Sequence, residues 1–356
     1  MEFDRRLQAG THDPNLVFPK SAVPRWLPPQ RGSPVWNEFF VAVEGSAVRG
    51  AYALKQEQLF IRDKGTVKVA CYHHSLAEGI VDRSYASVGA LLARDALARQ
   101  PLLYLLGMGG FDSPIAMMIK ALGFSFTLLP FYFRIVHPTT FLRHMQALRE
   151  QRWRAVLMDV AAVTGTGWLG LKAAQAFQSL YRGKTDFLAE EVNEFSTWAD
   201  DLWDEAKDSV SMAAVRDSQT LRLLYPPDQS TLTRVRVSRG NQVIGWAVVG
   251  ERRKDEKFGT MHVGSVVDCW ASPEDAAAVV QAAAQALEKR GVDLIVSNQA
   301  HDVWCRSFEQ SGFLKGPSNF VLALSKKLVE LLEPLQENRP SFHVTRADGD
   351  GLPNNF

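Results

Sequence analysis

LLYLLGMGGFDSPIAMMIKALGF, residues 102–124, and DLIVSNQAHDVWCRSFEQSGF, residues 293–313, end on the same pair, Gly123-Phe124 and Gly312-Phe313. Each opens with an apolar run short enough for a buried strand, continues as a short helix and stops at glycine. The spacing predicts strands at Leu102–Leu106 and Asp293–Ser297, and short helices at Ser113–Leu122 and Asp302–Gln310. Upstream of each strand lies an Ala/Leu-rich stretch suited to a long helix, Ser84–Ala98 and Pro273–Lys289. Before each helix come alternating strand patterns, so the chain reads as two copies of one α/β module.

In the first copy the strands are WNEFFVAVEG from Trp36, VRGAYALKQEQLFI after a turn near Gly45, and VKVACYH over Val67–His73. In the second they are Thr231–Val237 and Gln242–Val249, joined across Arg239-Gly240-Asn241. After Phe124 the run FTLLPFYFRIV is aromatic and β-branched, and reads as a buried strand. The expected organisation is an irregular lead-in over 1–35, a first module over 36–138, a helical connector over 139–190, a second module over 191–333 and a flexible tail over 334–356. Trp198, Trp203, Met212 and Val215 are the expected core anchors at the start of the second module.

The 356 residues are 46% apolar with a formal net charge of +1, a composition for two globular cores and not for a nucleic-acid or anionic-lipid coat. Cys71, Cys269 and Cys305 are an odd number without CxxC spacing, which argues for a reducing compartment and against a disulfide framework or a zinc site. The N-terminus lacks the apolar core of a secretory signal. Ala155–Ala174 is the most apolar stretch, but Asp159, Lys172 and three glycines make it a buried or interfacial helix before a membrane span. The expected location is the cytoplasm.

An antiparallel sheet followed by strand, long helix, strand, short helix, Gly-Phe and strand resembles the GNAT fold of acyl-CoA-dependent N-acyltransferases. The resemblance covers 37–136 and 191–325, and tandem copies joined by helices also resemble double-GNAT and Fem-type transferases. It implies an α/β (α+β) chain of two GNAT-like modules, each a mixed, mostly antiparallel sheet flanked by helices. The donor it implies is acetyl-CoA or another acyl-CoA. In this family the pyrophosphate sits on the N-terminus of the long helix, where free N–H groups and the positive dipole end meet it.

Residues 80–92, IVDRSYASVGALL, are similar to the family phrase V-D-P-x-Y-R-G-x-G-x-x-L-L, with Val81, Asp82, Tyr85, Gly89 and Leu92 matching. Ala86 replaces the family's Arg and Ser87 a Gly. Both are small enough for phosphate to approach, and Arg83 stands nearby to supply charge. The residues implied to hold the cofactor are therefore Arg83, Tyr85, Ala86, Ser87, Val88, Gly89 and Asp112. In the second copy Ser272-Pro273-Glu274-Asp275 reads as an N-cap, Pro at N1 and two acids that repel a pyrophosphate, so that copy is expected to bind acceptor or to support the first.

The family's short helix carries a Tyr that acts as general acid. Ile119 and Phe308 occupy that place in the two copies. Candidate catalytic groups in the first copy are His73, His74 and Glu78 at the end of the Val67–His73 strand, and Tyr104 on the next strand. Strand alternation puts His73 and His74 on opposite faces. Gly107-Met108-Gly109-Gly110 lacks the Lys-Ser/Thr of a phosphate loop and would flank the pantetheine.

The implied reaction is direct attack of an amine, on a small molecule, sugar or peptide, on the thioester. A degenerate binding or scaffold protein on the same fold is the alternative, and a Fem-like aminoacyl transferase a second. Near-neutral charge argues against nucleic acid, although the basic segment Arg143–Arg154 leaves tRNA open.

Overall fold

The structure is a computed structural model that describes residues 2–11, 17–18, 26–27, 30–144, 186–253, 260–336 and 342–349. From the N-terminus the elements are α1 (Glu2–Gly10), β1 (Trp36–Glu44), β2 (Ala47–Ile61), β3 (Gly65–Ala77), α2 (Val88–Arg99), β4 (Leu103–Leu106), α3 (Pro114–Ala121), β5 (Ser125–Leu128), β6 (Phe131–Ile135) and α4 (Pro138–His144). Then come β7 (Leu188–Val192), α5 (Thr197–Ala206), β8 (Met212–Ala214), α6 (Ser218–Leu224), β9 (Leu232–Arg239), β10 (Gln242–Arg253) and β11 (His262–Ala271). The last are α7 (Ala276–Lys289), β12 (Leu294–Asn298), α8 (Asp302–Gln310), β13 (Leu314–Gly316), β14 (Val321–Leu324), α9 (Lys326–Gln336) and β15 (Phe342–His343).

The strands form two sheets. One runs β15-β8-β2-β3-β4-β14-β5, with β1 on β2, and the other β13-β6-β12-β11-β10-β9-β7. In both, a hairpin leads by a parallel step to the strand before a short helix: β2-β3-β4 in the first, β10-β11-β12 in the second. The mixed α/β architecture is the expected one. Two period-2 patterns are apolar where the long helices cover them. Leu92, Ala93 and Ala96 of α2 pack on Tyr52, Leu54, Ala70 and Tyr72, and the alanine-rich face of α7 packs on Val235, Ala247 and Val249. Small side chains let α7 lie close. A Cβ on Gly245 would stand 2.4 Å from Val279 Cγ2.

The last strand of each half is exchanged. β6 enters the second sheet between β12 and β13, and β14 enters the first between β4 and β5. The run FTLLPFYFRIV is therefore two strands in two sheets, not one. Pro130 cannot donate to a ladder, and the chain crosses between the sheets at Leu129-Pro130. β5 is largely exposed at its sheet edge, so half of that run is not buried. Contiguous segments 36–138 and 191–333 do not capture this pairing, because each sheet is completed by a strand from the other half.

The tail also departs from expectation. Phe342–His343 pairs in parallel with Met212–Ala213 in the first sheet, and Thr345 bridges Gln299 beyond the second sheet's β12. Residues 342–348 are buried or nearly so and fasten the sheets together. The apolar stretch 155–174 and most of the basic segment 143–154 lie outside the described residues. Among the described residues no helix is long and apolar enough to cross a membrane.

Candidate functional site

β3 and β4 pair only at Ala70↔Leu103 and Cys71↔Tyr104, while β3 runs on to Ala77. The strands diverge from Tyr104 onward and leave a wedge between them. A β-bulge drives the divergence. Ala53 faces His73 and Ala51 faces Leu76, so β3 carries an extra residue, with His74 in the left-handed region at φ 49°. The bulge also overturns the alternation rule for this pair, since the rings of His73 and His74 lie 4.8 Å apart instead of on opposite faces. His73 is buried, and neither ring nitrogen has a hydrogen-bond partner among the described residues. Burial, His74 and the nearby Lys55 charge hold its pKa well below the usual range, so it is neutral at pH 7.

Past the wedge the chain makes two short turns and enters α2. Asp82 accepts the Ser84 N–H at 2.9 Å, and Tyr85 lies beneath Arg49, 4.2 Å from guanidinium to ring centroid. Arg83, Ala86 and Ser87 are exposed, and Val88 and Gly89 half-buried. Ser87, the N-cap, makes no side-chain cap bond. The first turn of α2 thus presents free N–H groups and the positive dipole end to solvent beside the wedge. A Cβ on Gly89 would meet only Met118 Sδ at 3.4 Å and Ala77 Cβ at 3.8 Å, so the helix start is not crowded.

Glu78 stands at the mouth but is unsuited to be a base. Its carboxylate takes Arg6 at 2.7 Å and Arg49 at 2.9 Å, and these guanidiniums hold its pKa below the usual range. It anchors α1 to the end of β3. Asp112 is exposed in the turn before α3, where Ser113 caps the helix by accepting the Ala116 N–H at 3.2 Å. Ile119, at the place of the family hydroxyl, is buried in the core under α2, and Phe308 is buried against Tyr132 and Phe313. Gly107, Gly109 and Gly110 all have positive φ, so the loop after β4 needs glycine for its path and not for phosphate.

Tyr104, at the wedge vertex, belongs to a polar cluster on the sheet face opposite α2. Its hydroxyl meets Glu57 Oε1 and, at 2.5 Å, the Asp348 carbonyl. Lys55 Nζ donates to the carbonyls of Ala347 (3.3 Å) and Asp348 (3.1 Å) and lies 3.4 Å from Glu57 Oε2. Lys55 is 1% exposed and Glu57 4%. Sequence reading passed over both, because Lys-x-Glu at period 2 reads as the solvent side of a strand. Only the fold of residues 347–348 over that face buries them.

The second wedge has the same origin and a different content. β11 and β12 pair at Val263↔Leu294, Gly264↔Ile295 and Ser265↔Val296, and β11 then continues to Ala271 past a bulge at Val267. Residues 342–348 occupy the space that opens. His343 Nε2 lies 2.9 Å from the Cys269 carbonyl, and Ala300 N–H donates to Val344 at 3.2 Å. Arg216 reaches Asp268 and Asp348 at 3.0 Å each, and Thr345 and Tyr225 complete the network around Asp268. At α7 the cap residue is Asp275, three residues later than expected from Ser272, and it pairs with Arg239 at 2.7 Å. An anionic cap there disfavours phosphate. Burial pushes the Cys269 thiol well up and Cys305 to about 11, so neither is a nucleophile at neutral pH. Among the described residues no group of His, Cys, Asp and Glu is placed to hold a metal ion.

No family model and no curated protein sequence matches the chain. Solved structures do. A GCN5-related N-acetyltransferase from Anabaena variabilis superposes with TM-score 0.50 at 10% identity, over 80% of this chain and 62% of that one. The N-myristoyltransferase of Saccharomyces cerevisiae with bound myristoyl-CoA gives 0.46 at 8% identity, over 79% and 67%. A probable N-acyltransferase of Enterococcus faecalis gives 0.46 at 10% identity, over 81% and 61%. This chain thus spans less than two thirds of the Anabaena and Enterococcus chains. Two wedged sheets, each with a long helix starting at the wedge mouth, and the superposition on the Anabaena enzyme give the chain the GNAT acyltransferase fold.

Proposed function

We propose that the protein is an acyl-CoA-dependent N-acyltransferase that binds its donor in the first wedge. The observation that carries this reading is the open, uncapped start of α2 beside the diverging β3 and β4. The pyrophosphate of acetyl-CoA or a longer acyl-CoA would rest on the N–H groups of Val88, Gly89 and Ala90, with Arg83 and Tyr85 beside it. The pantetheine would enter the wedge and expose the thioester near the bulge. An amine acceptor attacks the carbonyl carbon, and a β3 backbone N–H freed by the divergence holds the oxyanion. His73, neutral and buried at the bulge, would take the amine proton. Orientation of the reactants supplies much of the rate.

The acceptor is an amine on a small molecule, sugar or peptide, and the setting cytoplasmic. The buried Ile119 at the family's hydroxyl place favours a second reading, a GNAT-fold protein that binds acyl-CoA without turning it over. Thermal unfolding with acetyl-CoA, a long-chain acyl-CoA and free CoA, repeated on Gly89→Asp, tests the binding. A shift in the parent that disappears in the variant supports the assignment. No shift with any of them refutes both readings. Release of CoA thiol in the presence of amines then separates enzyme from binder.

A further inference from the structure

A strand at a sheet edge leaves every second N–H and C=O without a ladder partner, and proteins guard such edges with charge, shortness or cover. Most edges of this fold are guarded. β1 carries Glu38 and Glu44, and β7 carries Glu190 and Glu191, paired with Arg236 and Arg290. β13 is three residues long with Lys315 at its centre, and β15 is two residues. β5 is the exception. It ends the first sheet beyond β14, and among the described residues nothing pairs with its outer side. No charged residue stands between Lys120 and Arg134, along ALGFSFTLLPFYF.

The β14 ladder fixes which groups of β5 face out. The Leu129 N–H donates to the Phe320 carbonyl at 2.9 Å, and Thr127 lies opposite Leu322. The backbone groups of Ser125 and Thr127 are therefore turned to β14, and those of Phe126 and Leu128 to solvent. The side chains alternate in the same way. Phe126 packs against the core under α2 and α3, and Leu128 on the same face is 43% exposed. Phe111, 50% exposed, lies against Phe126 with ring centroids 6.2 Å apart, so the apolar rim continues into the loop before α3. Ser125 and Thr127 are exposed on the other face.

We propose that β5 is a dimerisation edge, which joins a second copy of this chain antiparallel across a two-fold axis through Thr127. In that register Phe126 of one copy lies opposite Leu128 of the other, and each such pair exchanges its outward N–H and C=O groups. Thr127 meets its own copy at the non-hydrogen-bonded position, where side chains are closest, and a Thr–Thr pair is favourable there. Phe111, Phe126 and Leu128 of both copies close over one face of the joint. The charge pattern selects this occupant. A two-fold contact sets each residue near its own copy, so a charged edge repels itself and the uncharged stretch from Ala121 to Phe133 does not. β1, β7 and β13 fail that requirement. The first sheet then runs without a break through both copies.

Sedimentation velocity on the full chain tests this over about 1–200 µM, the range in which a small interface dissociates. The parent should pass from one chain mass to two as concentration rises. Thr127→Lys and Thr127→Asp alter an exposed side chain on the axis and should keep the parent's melting temperature. Each should weaken association by about tenfold, because like charges then face each other, and an equimolar mixture of the two should restore it. That rescue is specific to copies that meet at Thr127. Independently, Thr127→Cys should form a disulfide-linked dimer under mild oxidation, since partners at that position stand about 4.5 Å apart at Cα. Leu188→Cys, on the guarded edge of β7, should not. A parent that stays monomeric throughout overturns the proposal and leaves the edge to the chain's own residues or to another protein. A dimer that both charged variants leave intact, or a mixture that recovers nothing, overturns it as well. If a charged variant loses its fold, the Thr127→Cys cross-link decides, and its absence refutes the pairing.

Discussion

The two wedges start from one geometry and end in opposite states. In each, a bulged strand parts from its parallel neighbour after two or three paired residues, at Cys71/Tyr104 in the first sheet and Ser265/Val296 in the second. Neither long helix has a side-chain cap bond, but the first starts at the exposed Ser87 at the mouth of its wedge. The second is filled by residues 342–348, held by Arg216 between Asp268 and Asp348, and its helix starts at a buried aspartate. The same backbone can offer a binding cleft or serve as the seat of a strap. Which one results depends on what the rest of the chain inserts.

The largest expected effect comes from removing the strap's anchor. Arg216→Met leaves two buried carboxylates without their cation and should cost about 3–5 kcal/mol in urea unfolding. A loss below about 1 kcal/mol would mean that the ion cluster does not hold the second wedge closed. Next is the ligand. At a hundred times its dissociation constant, acyl-CoA should stabilise the parent by about 2.7 kcal/mol. Gly89→Asp should abolish that shift and Glu274→Ala preserve it. The reverse pattern would move the site to the second wedge.

Alanine at the two helix seats sharpens the contrast further. On Gly245 the new Cβ would come within 2.4 Å of Val279 Cγ2 and 2.7 Å of the Trp270 carbonyl, and the strain should cost about 1–3 kcal/mol. Gly89→Ala meets no such obstacle, and the gain in helix propensity should stabilise the fold by about 0.5–1 kcal/mol. Calorimetry that ranked the two alike would remove the claim that α2 begins in open space. The smallest effect is at the mouth. Arg6 and Arg49 lower the folded pKa of Glu78, so its contribution is present above the unfolded value of about 4.3 and lost as pH falls through the folded one. Glu78→Gln should lose that acid limb of the stability–pH curve and change little else. A limb that survives in the variant would assign it to another carboxylate.

Much of the fold was legible in local patterns. The hairpin at Gly45, the α2 and α7 stretches, the strands at 103–106 and 294–298 and the Gly-Phe stops all follow from apolar period and glycine placement, and α8 matches its expected span of 302–310 residue for residue. The α2 loop was legible for the same reason, since a helix start is a local feature. The His73–His74 contact was not, because a bulge inserts one residue against a partner strand and nothing in VKVACYHH marks where. Lys55 and Glu57 were missed because their pattern is that of an exposed strand face.

What the sequence determined by itself is therefore the set of elements, their order and the chemistry of each turn, all set by interactions within about a dozen residues. The exchange of β6 and β14 between the sheets, the burial of Lys55, Glu57 and Tyr104 beneath Asp348, and the closing of the second wedge by residues 342–348 were decided only in the tertiary structure. These join residues up to 293 positions apart, as in Lys55 and Asp348, and no local propensity encodes such a pairing. It is selected because each half exposes a strand edge and a wedge that the other half, or the far end of the chain, can satisfy.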